Sequence, residues 1–158
     1  MRSFDADGLA ICRFQGSLFE RSLQLAKCGS AVFVRRFMFS RAAARMDAGG
    51  FHYEAGGEDV FAELDGQYGT TCYGSVRFAA EELYWMGYVY RYWAYVFGES
   101  SARIYQIIGA RELRGLYPAY HSLDPMQAIE RIVEAKGVAR ERTLDEQVGL
   151  LRRIRAGE

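Results

Sequence analysis

The chain has 158 residues, the size of one ordinary domain, and its 20 Lys plus Arg balance 20 Asp plus Glu. This neutral charge provides no overall positive field that would attract nucleic acid or an anionic membrane, so either kind of binding would need a local patch. Hydrophobic residues make up 50% of the chain and aromatic residues 15%, which predicts one folded core with an unusual share of aromatic packing.

The cysteines and the first residues indicate a cytoplasmic protein. Cys12, Cys28 and Cys72 are widely spaced and form no CxxC pair, which argues against a disulfide framework and against a zinc site. The opening stretch MRSFDADG carries acidic residues where a signal peptide needs a basic start and a continuous apolar run. We therefore expect reduced thiols and no export.

The first helix is predicted from a capping box. Ser17 and Glu20 have the spacing at which a serine oxygen and a carboxylate each bond an otherwise unpaired backbone N–H. Gly29 is suited to end a helix. Together these signals predict a helix over 18–28.

The second predicted helix carries arginines on an apolar segment. Ser30 is its expected N-cap, and VFVRRFMFSRAAARM is predicted to be helical as far as Met46. Arg41 and Arg45 fall on one stripe of this helix. Their guanidinium groups can reach water, carboxylates or aromatic rings within the chain, or they can contact a partner. Arg41 and Arg45 are therefore candidate partner-binding residues.

A short third helix is predicted over 59–65. The Gly-rich segment before it, 49–57, is compatible with a loop or with a brief hairpin strand, and the segment after it, 68–75, is rich in turn residues.

The most unusual segment is YWMGYVYRYWAYVF, which contains both tryptophans of the chain. It is predicted to belong to one helix that begins at Ser75 or a near neighbour and ends at Gly98. The apolar stretch is shorter than the roughly 20 residues of a membrane span, and Arg91 lies in its middle. We therefore expect a helix of a water-soluble bundle with no membrane association.

Both faces of this aromatic helix are apolar or amphipathic. Such a helix usually lies at the centre of a bundle, which is one interpretation of the pattern. The alternative is that one face is open to a partner, because Tyr, Trp and Arg dominate the binding energy of protein interfaces. The candidate partner-binding residues on that face are Tyr84, Tyr88, Arg91 and Tyr95. The same face is also compatible with a homodimer.

The next two helices are predicted from residues that start or end helices. Ser100 or Ser101 starts a helix that breaks at Gly109, and a helical segment over 111–117 is predicted to stop before Pro118.

The C-terminal part contains two further start signals. Asp124 followed by Pro125 predicts a helix that Gly137 ends. Thr143 and Glu146 form a capping box that predicts a final helix. Its last turn would place Arg152, Arg153 and Arg155 beside the negative end of the helix dipole.

The predicted elements number six to eight helices without a convincing series of strands. We therefore predict an all-α fold, a single-domain bundle around the aromatic-rich helix. The main bundle is expected over 16–137, with a helical extension over 138–158.

No residue pattern indicates catalysis. His121 precedes Ser122 and Asp124, but Asp124 is explained as a helix cap and Ser122 lies in no strand–turn–helix elbow. The other histidine, His52, lies in the Gly-rich segment. The phosphate-binding, dinucleotide-binding and HExxH motifs are absent from the sequence. We expect no enzyme activity, no cofactor and no metal.

A helical DNA-binding regulator is the alternative function. The segment SSARIYQIIGARELRGLYPAY contains a helix, a glycine and a second helix, as a helix-turn-helix does. Arg103, Arg111 and Arg114 could contact phosphates. The position four residues before Gly109 should be small, however, and it is Tyr105. Nucleic-acid binding is therefore the less favoured function.

Three blocks of the sequence, FVRRFMFSRAAARMD, ELYWMGYVYRYWAY and LYPAYHSLDPMQAIERI, resemble a family of small bacterial proteins. Its members are often labelled antitoxins or are encoded in toxin–antitoxin-like gene neighbourhoods, and the likeness covers roughly 17–137. The resemblance implies a non-catalytic helical domain that binds and neutralises another protein. The expected partner is a cognate toxin. We expect the aromatic helix, the FVRRFMFSR helix or both to cover the active cleft of that partner.

Overall fold

The computed structural model describes residues 1–49, 57–70, 73–137, 151–153 and 155–157. No strand occurs within these ranges, and residues 151–153 and 155 are helical. The eight labelled helices are α1 (Ala6–Leu25), α2 (Ser30–Met38), α3 (Arg41–Asp47), α4 (Gly57–Tyr68), α5 (Ala80–Phe97), α6 (Ser101–Ile107), α7 (Ala110–Tyr120) and α8 (Pro125–Lys136). The predicted all-α bundle is confirmed.

Helix α1 begins much earlier than the sequence signals predict. Its N-cap is Asp5, whose carboxylate accepts a hydrogen bond from the Gly8 backbone N–H at 2.9 Å. Buried positions continue at helical spacing from Ile11 to Ser22, so tertiary packing carries the helix through Ser17. The capping box predicted at Ser17 is therefore wrong.

The C-terminal end of α1 is capped by a side chain from a distant part of the chain. The Arg77 guanidinium donates hydrogen bonds to the backbone carbonyls of Leu23 and Ala26, both at 3.2 Å, and of Cys28 at 3.3 Å. A cation here also meets the negative pole of the helix. Gly29, which was expected to end α1, is instead the N-cap of α2.

The second predicted helix is broken at Ser40 into α2 and α3. The Ser40 hydroxyl oxygen accepts a hydrogen bond from the Ala43 backbone N–H at 3.1 Å, and the hydroxyl donates to the Phe37 carbonyl at 2.6 Å. One side chain thus bonds a carbonyl in the last turn of α2 and an N–H in the first turn of α3 that has no partner within its own helix. The prediction of one continuous helix to Met46 is wrong for this reason.

Helix α7 continues through Pro118 and ends two residues later, so the predicted stop before this proline is wrong. Pro118 lies in the last turn of α7, where the missing N–H removes only one bond of the helix. The His121 backbone N–H still reaches the Tyr117 carbonyl at 3.0 Å. The rings of Tyr117 and His121 stack on each other with centroids 4.5 Å apart.

Several predicted helix ends are confirmed. Ser100 caps α6, Asp124 caps α8, and Pro125 occupies the first position of α8. Gly98 and Gly137 end α5 and α8 in the left-handed conformation, with φ of 69° and 62°.

Other predicted boundaries shift or lie outside the described residues. Helix α5 begins at Ala80, after the predicted Ser75, and α4 is longer than the predicted 59–65. The capping box at Thr143 and Glu146 lies outside the described residues, as does most of the loop or hairpin predicted over 49–57.

Helix α5 lies at the centre of the bundle and packs against α1, α6, α7 and α8. Its contact with α1 depends on Gly87. A Cβ atom at Gly87 would lie 2.6 Å from the carbonyl oxygen of Gln15 and 2.8 Å from the ring of Phe19. The absence of a side chain therefore sets how closely the two helices approach.

We predict that Gly87→Ala lowers the free energy of unfolding by about 1–3 kcal/mol, because the new methyl group must displace the α1 backbone. Gly66→Ala is the matched control. Gly66 lies inside α4 with open space around it, so alanine there should raise stability by about 0.5–1 kcal/mol. Urea denaturation of both variants measures these changes. Equal effects at the two sites would contradict the close α1–α5 contact.

Candidate functional site

The face of α5 that carries the candidate partner-binding residues lies against α1. Its residues are Tyr84, Tyr88, Arg91 and Tyr95. The three tyrosines are half-buried, and the Arg91 side chain is only 1% exposed. The Tyr84 ring lies against Gly16, and the Tyr95 ring lies against Gly8. These two glycines leave room on α1 for the tyrosine rings of α5.

Arg91 is the centre of a buried polar network. Its Nε donates to Gln15 Oε1 and its Nη1 to Asp47 Oδ1, both at 2.7 Å. Its Nη2 donates to Ser101 Oγ at 3.2 Å. The Asp47 carboxylate also accepts bonds from the Ser101 backbone N–H at 2.8 Å and from the Ser101 hydroxyl at 2.7 Å. The network therefore joins α1, α3, α5 and α6.

The charged groups of this network hold the helices together. Burial lowers the pKa of Arg91, and the adjacent Asp47 carboxylate opposes that shift. Burial also raises the pKa of the nearby Cys12 thiol to about 12, so the thiol is protonated and a poor nucleophile at neutral pH. Arg91 is enclosed by partners of its own chain, which agrees with the interpretation of α5 as a central helix and removes Arg91 from the candidate partner-binding residues.

A cavity of about 390 Å³ lies beside the network, between the N-terminal segment and the end of α5. The Arg2 guanidinium lies 4.0 Å from the centroid of the Tyr95 ring, and the Tyr95 hydroxyl donates to Asp5 at 2.6 Å. Burial and this hydrogen bond raise the pKa of Tyr95 to about 12. The charged residues that line the cavity are Arg2, Asp7, Asp47 and Arg91. Their charges balance.

Arg41 and Arg45 are exposed on α3. The Arg45 guanidinium forms an ion pair with Glu63 of α4, and this bond lowers the pKa of Glu63. The Arg41 backbone N–H donates to Gln67 Oε1 at 3.0 Å. Arg45 thus finds a carboxylate within the chain, as the sequence allowed. The role of Arg41 and Arg45 in contacting a partner stays a prediction.

A second concave surface lies where α1, α5 and α7 meet, with a volume of about 440 Å³. We call it the aromatic groove, and its lining side chains other than Ala80 are Glu20, Glu81, Tyr84, Trp85, Tyr117 and His121. The Trp85 and Tyr117 rings meet edge to face with centroids 5.7 Å apart. The groove thus combines aromatic rings from two helices with carboxylates from two helices.

The carboxylates of the groove have no cationic partner in the part of the chain that the structure describes. Glu20 and Glu81 are exposed, and neither forms an ion pair with another described residue. Arg21, next to Glu20, pairs instead with Glu58. Glu82, next to Glu81, pairs with Arg114 at 3.2 Å. The aromatic groove therefore carries negative charge.

Sequence reasoning included only Tyr84 of this groove. It missed Trp85, Tyr117 and His121 as a group. The available signal was the spacing of Tyr117 and His121, four residues apart, which places them on one side of a helix. The predicted helix end before Pro118 hid that signal.

The residues considered for catalysis, His121 and Asp124, form local hydrogen bonds. The Asp124 carboxylate accepts the Met126 backbone N–H at 2.9 Å, as a cap does, and His121 Nδ1 lies 2.7 Å from the Tyr117 carbonyl oxygen. Of the candidate phosphate contacts, Arg114 forms an ion pair, whereas Arg103 and Arg111 are exposed. DNA binding therefore stays an untested alternative. Among the described residues, no group of three or more His, Cys, Asp or Glu side chains is arranged to hold a metal ion.

We predict that Arg91→Ala lowers the free energy of unfolding by about 3–5 kcal/mol, because it leaves Asp47 without its cationic partner in a partly buried site. Arg45→Ala is the matched control. It removes an ion pair whose arginine is 48% exposed, so the expected loss is below about 1 kcal/mol. Chemical denaturation compares the two variants. A small loss for Arg91→Ala would place this residue on an accessible surface.

No family model matches the chain, and no curated protein or solved structure is significantly similar to it. None of the described helices combines the length and the apolar character that a membrane crossing requires.

Proposed function

We propose that the protein is a non-catalytic binding module that neutralises a partner protein by direct contact, as an antitoxin does. The observation that carries this proposal is the aromatic groove. Its Trp85 and Tyr117 rings pack on each other, and both remain only half-buried. Half-buried Trp and Tyr side chains are typical of residues that dominate binding energy at protein interfaces.

The groove is held in shape before any partner binds. Trp85 belongs to α5, whose inner side is fixed by the network around Arg91. Tyr117 is held between Trp85 and the stacked ring of His121. Rings that are already ordered lose little conformational freedom on binding, which favours affinity.

Occlusion is the mechanism that fits such a surface. Among the described residues its lining is aromatic and acidic, and the His121 Nδ1 atom lies next to a backbone carbonyl. The groove would cover a functional surface of its partner and perform no chemistry there. The resemblance of the sequence points to a toxin as that partner, and the widely spaced cysteines favour the cytoplasm of a bacterium as the place of action.

The proposed contact surface differs from the one expected from the sequence. On α5 it consists of Tyr84 and Trp85, beside α7. Arg41 and Arg45 of α3 remain candidates for a separate contact, and Arg45 would have to exchange Glu63 for a carboxylate of the partner.

We predict that the double substitution Trp85→Ala and Tyr117→Ala weakens binding of the toxic partner by at least about tenfold, because it removes two central aromatic contacts. The assay co-expresses the protein with each neighbouring gene and measures growth and co-purification. Phe39→Ala is the matched control. Phe39 is 40% exposed and meets Tyr105 edge to face at 5.4 Å, so it loses a comparable contact elsewhere.

The proposal predicts that a neighbouring gene product is toxic alone and harmless together with the unmodified protein or with Phe39→Ala. The double variant should fold, as measured by circular dichroism, and should fail to protect the cells. Full protection by a folded double variant would contradict the role of the groove. Neighbouring gene products that are all harmless alone would contradict neutralisation.

A further inference from the structure

We propose that the aromatic groove binds a cationic side chain, the ammonium group of a lysine or the guanidinium group of an arginine, on the partner protein. This inference rests on the proposed function and adds the chemistry by which the partner is recognised. Its evidence is the combination of aromatic rings with Glu20 and Glu81 in one concave surface.

The aromatic rings provide the first part of the site. A cation over the face of an aromatic ring is attracted by the ring quadrupole, and tryptophan is the strongest of the aromatic side chains in this respect. Trp85 and Tyr84 are consecutive residues of α5, and Tyr117 meets Trp85 from α7. A side chain that enters the groove therefore meets rings from two directions.

The two carboxylates provide the second part. Glu81 lies in the first turn of α5, where a carboxylate interacts favourably with the helix dipole. This end of the helix is already capped by Glu82. The Glu82 carboxylate accepts the Ala79 backbone N–H at 2.9 Å and pairs with Arg114. The Glu81 carboxylate is therefore not needed to cap α5. Glu20 lines the same groove from α1.

The negative charge of the groove favours a cationic side chain over an apolar or an acidic one. An apolar side chain would remove water from Glu20 and Glu81 without replacing their hydrogen bonds, which is unfavourable. An acidic segment or a nucleic-acid phosphate would be repelled. A lysine or arginine satisfies the carboxylates and the ring faces together.

The chain contains an internal example of the same arrangement. The Arg114 guanidinium lies 4.4 Å from the centroid of the Phe78 ring and also pairs with the Glu82 carboxylate at 3.2 Å. A ring and a carboxylate thus hold one guanidinium within this fold. The aromatic groove has the same two components with no cation of the described chain between them.

The test titrates the isolated, isotope-labelled protein with three short peptides that differ only at two positions, which carry lysine, arginine or uncharged norleucine. The indole N–H signal of Trp85 in the NMR spectrum is the readout, and Trp93 is an internal reference because it is 1% exposed. We expect saturable shifts of the Trp85 signal with the lysine or the arginine peptide. With norleucine, binding should be at least about fivefold weaker.

Glu→Gln variants then test whether the peptide binds at the groove. Glu20→Gln and Glu81→Gln together should weaken binding of the better peptide by at least about fivefold. Glu134→Gln is the matched control, since Glu134 is exposed on α8 outside the groove, and it should bind like the unmodified protein. Binding of norleucine with equal affinity would overturn the inference. So would an equal loss in the Glu134→Gln control, because general electrostatic attraction would then explain the binding.

These outcomes separate the two proposals. If the aromatic double variant loses its partner while the Glu20→Gln and Glu81→Gln protein keeps both partner and peptide, the groove binds protein without recognising a cation. If the cationic peptides bind as expected and no neighbouring gene product is neutralised, the cation site stands and the antitoxin-like function fails.

Discussion

The contact between α1 and α5 determines the rest of the architecture. Gly87 allows the two backbones to approach until the Gln15 side chain bonds the Gly87 carbonyl at 3.0 Å. One turn further along α5, the buried Arg91 requires partners from three other helices, because an unpaired cation in this position would be strongly destabilising. Asp47 supplies the opposite charge and also bonds the first residue of α6. Forming the hydrogen bonds of Arg91 and Asp47 together fixes the arrangement of α1, α3, α5 and α6.

This constraint explains how one helix can carry so many aromatic residues. The inner rings fill the core: Trp93 is 1% exposed, and the buried Tyr90 hydroxyl donates to the Ile108 carbonyl at 2.8 Å. Those rings contribute packing area and satisfied polar groups. At the other end of α5, Trp85 reaches the surface and meets Tyr117 of α7. The same run thus serves as core and as the wall of the groove, and the proposed recognition of a partner concerns only the second part.

Local signals predicted much of the fold, while long-range contacts decided the rest. Gly98 and Asp124 act through neighbouring backbone groups, so their positions as helix ends were readable from the sequence. Ser17 has an equally good local pattern, but burial on both sides of it carries α1 onward. The hydrogen-bond partners of Arg91 were not readable, because Gln15 and Asp47 lie 76 and 44 residues away in the chain. The groove was missed for a related reason, since it requires α7 to continue past a proline.

The division of α5 into a buried side and a groove side is the central claim, and the accessibility of its two tryptophans tests it most directly. Acrylamide quenching of fluorescence would be measured on two variants, Trp93→Phe, which retains only Trp85, and Trp85→Phe, which retains only Trp93. The account predicts that Trp85 is quenched several-fold more strongly than Trp93, because Trp85 lines the groove and Trp93 is enclosed in the core. Equal quenching of the two residues in folded protein would contradict it.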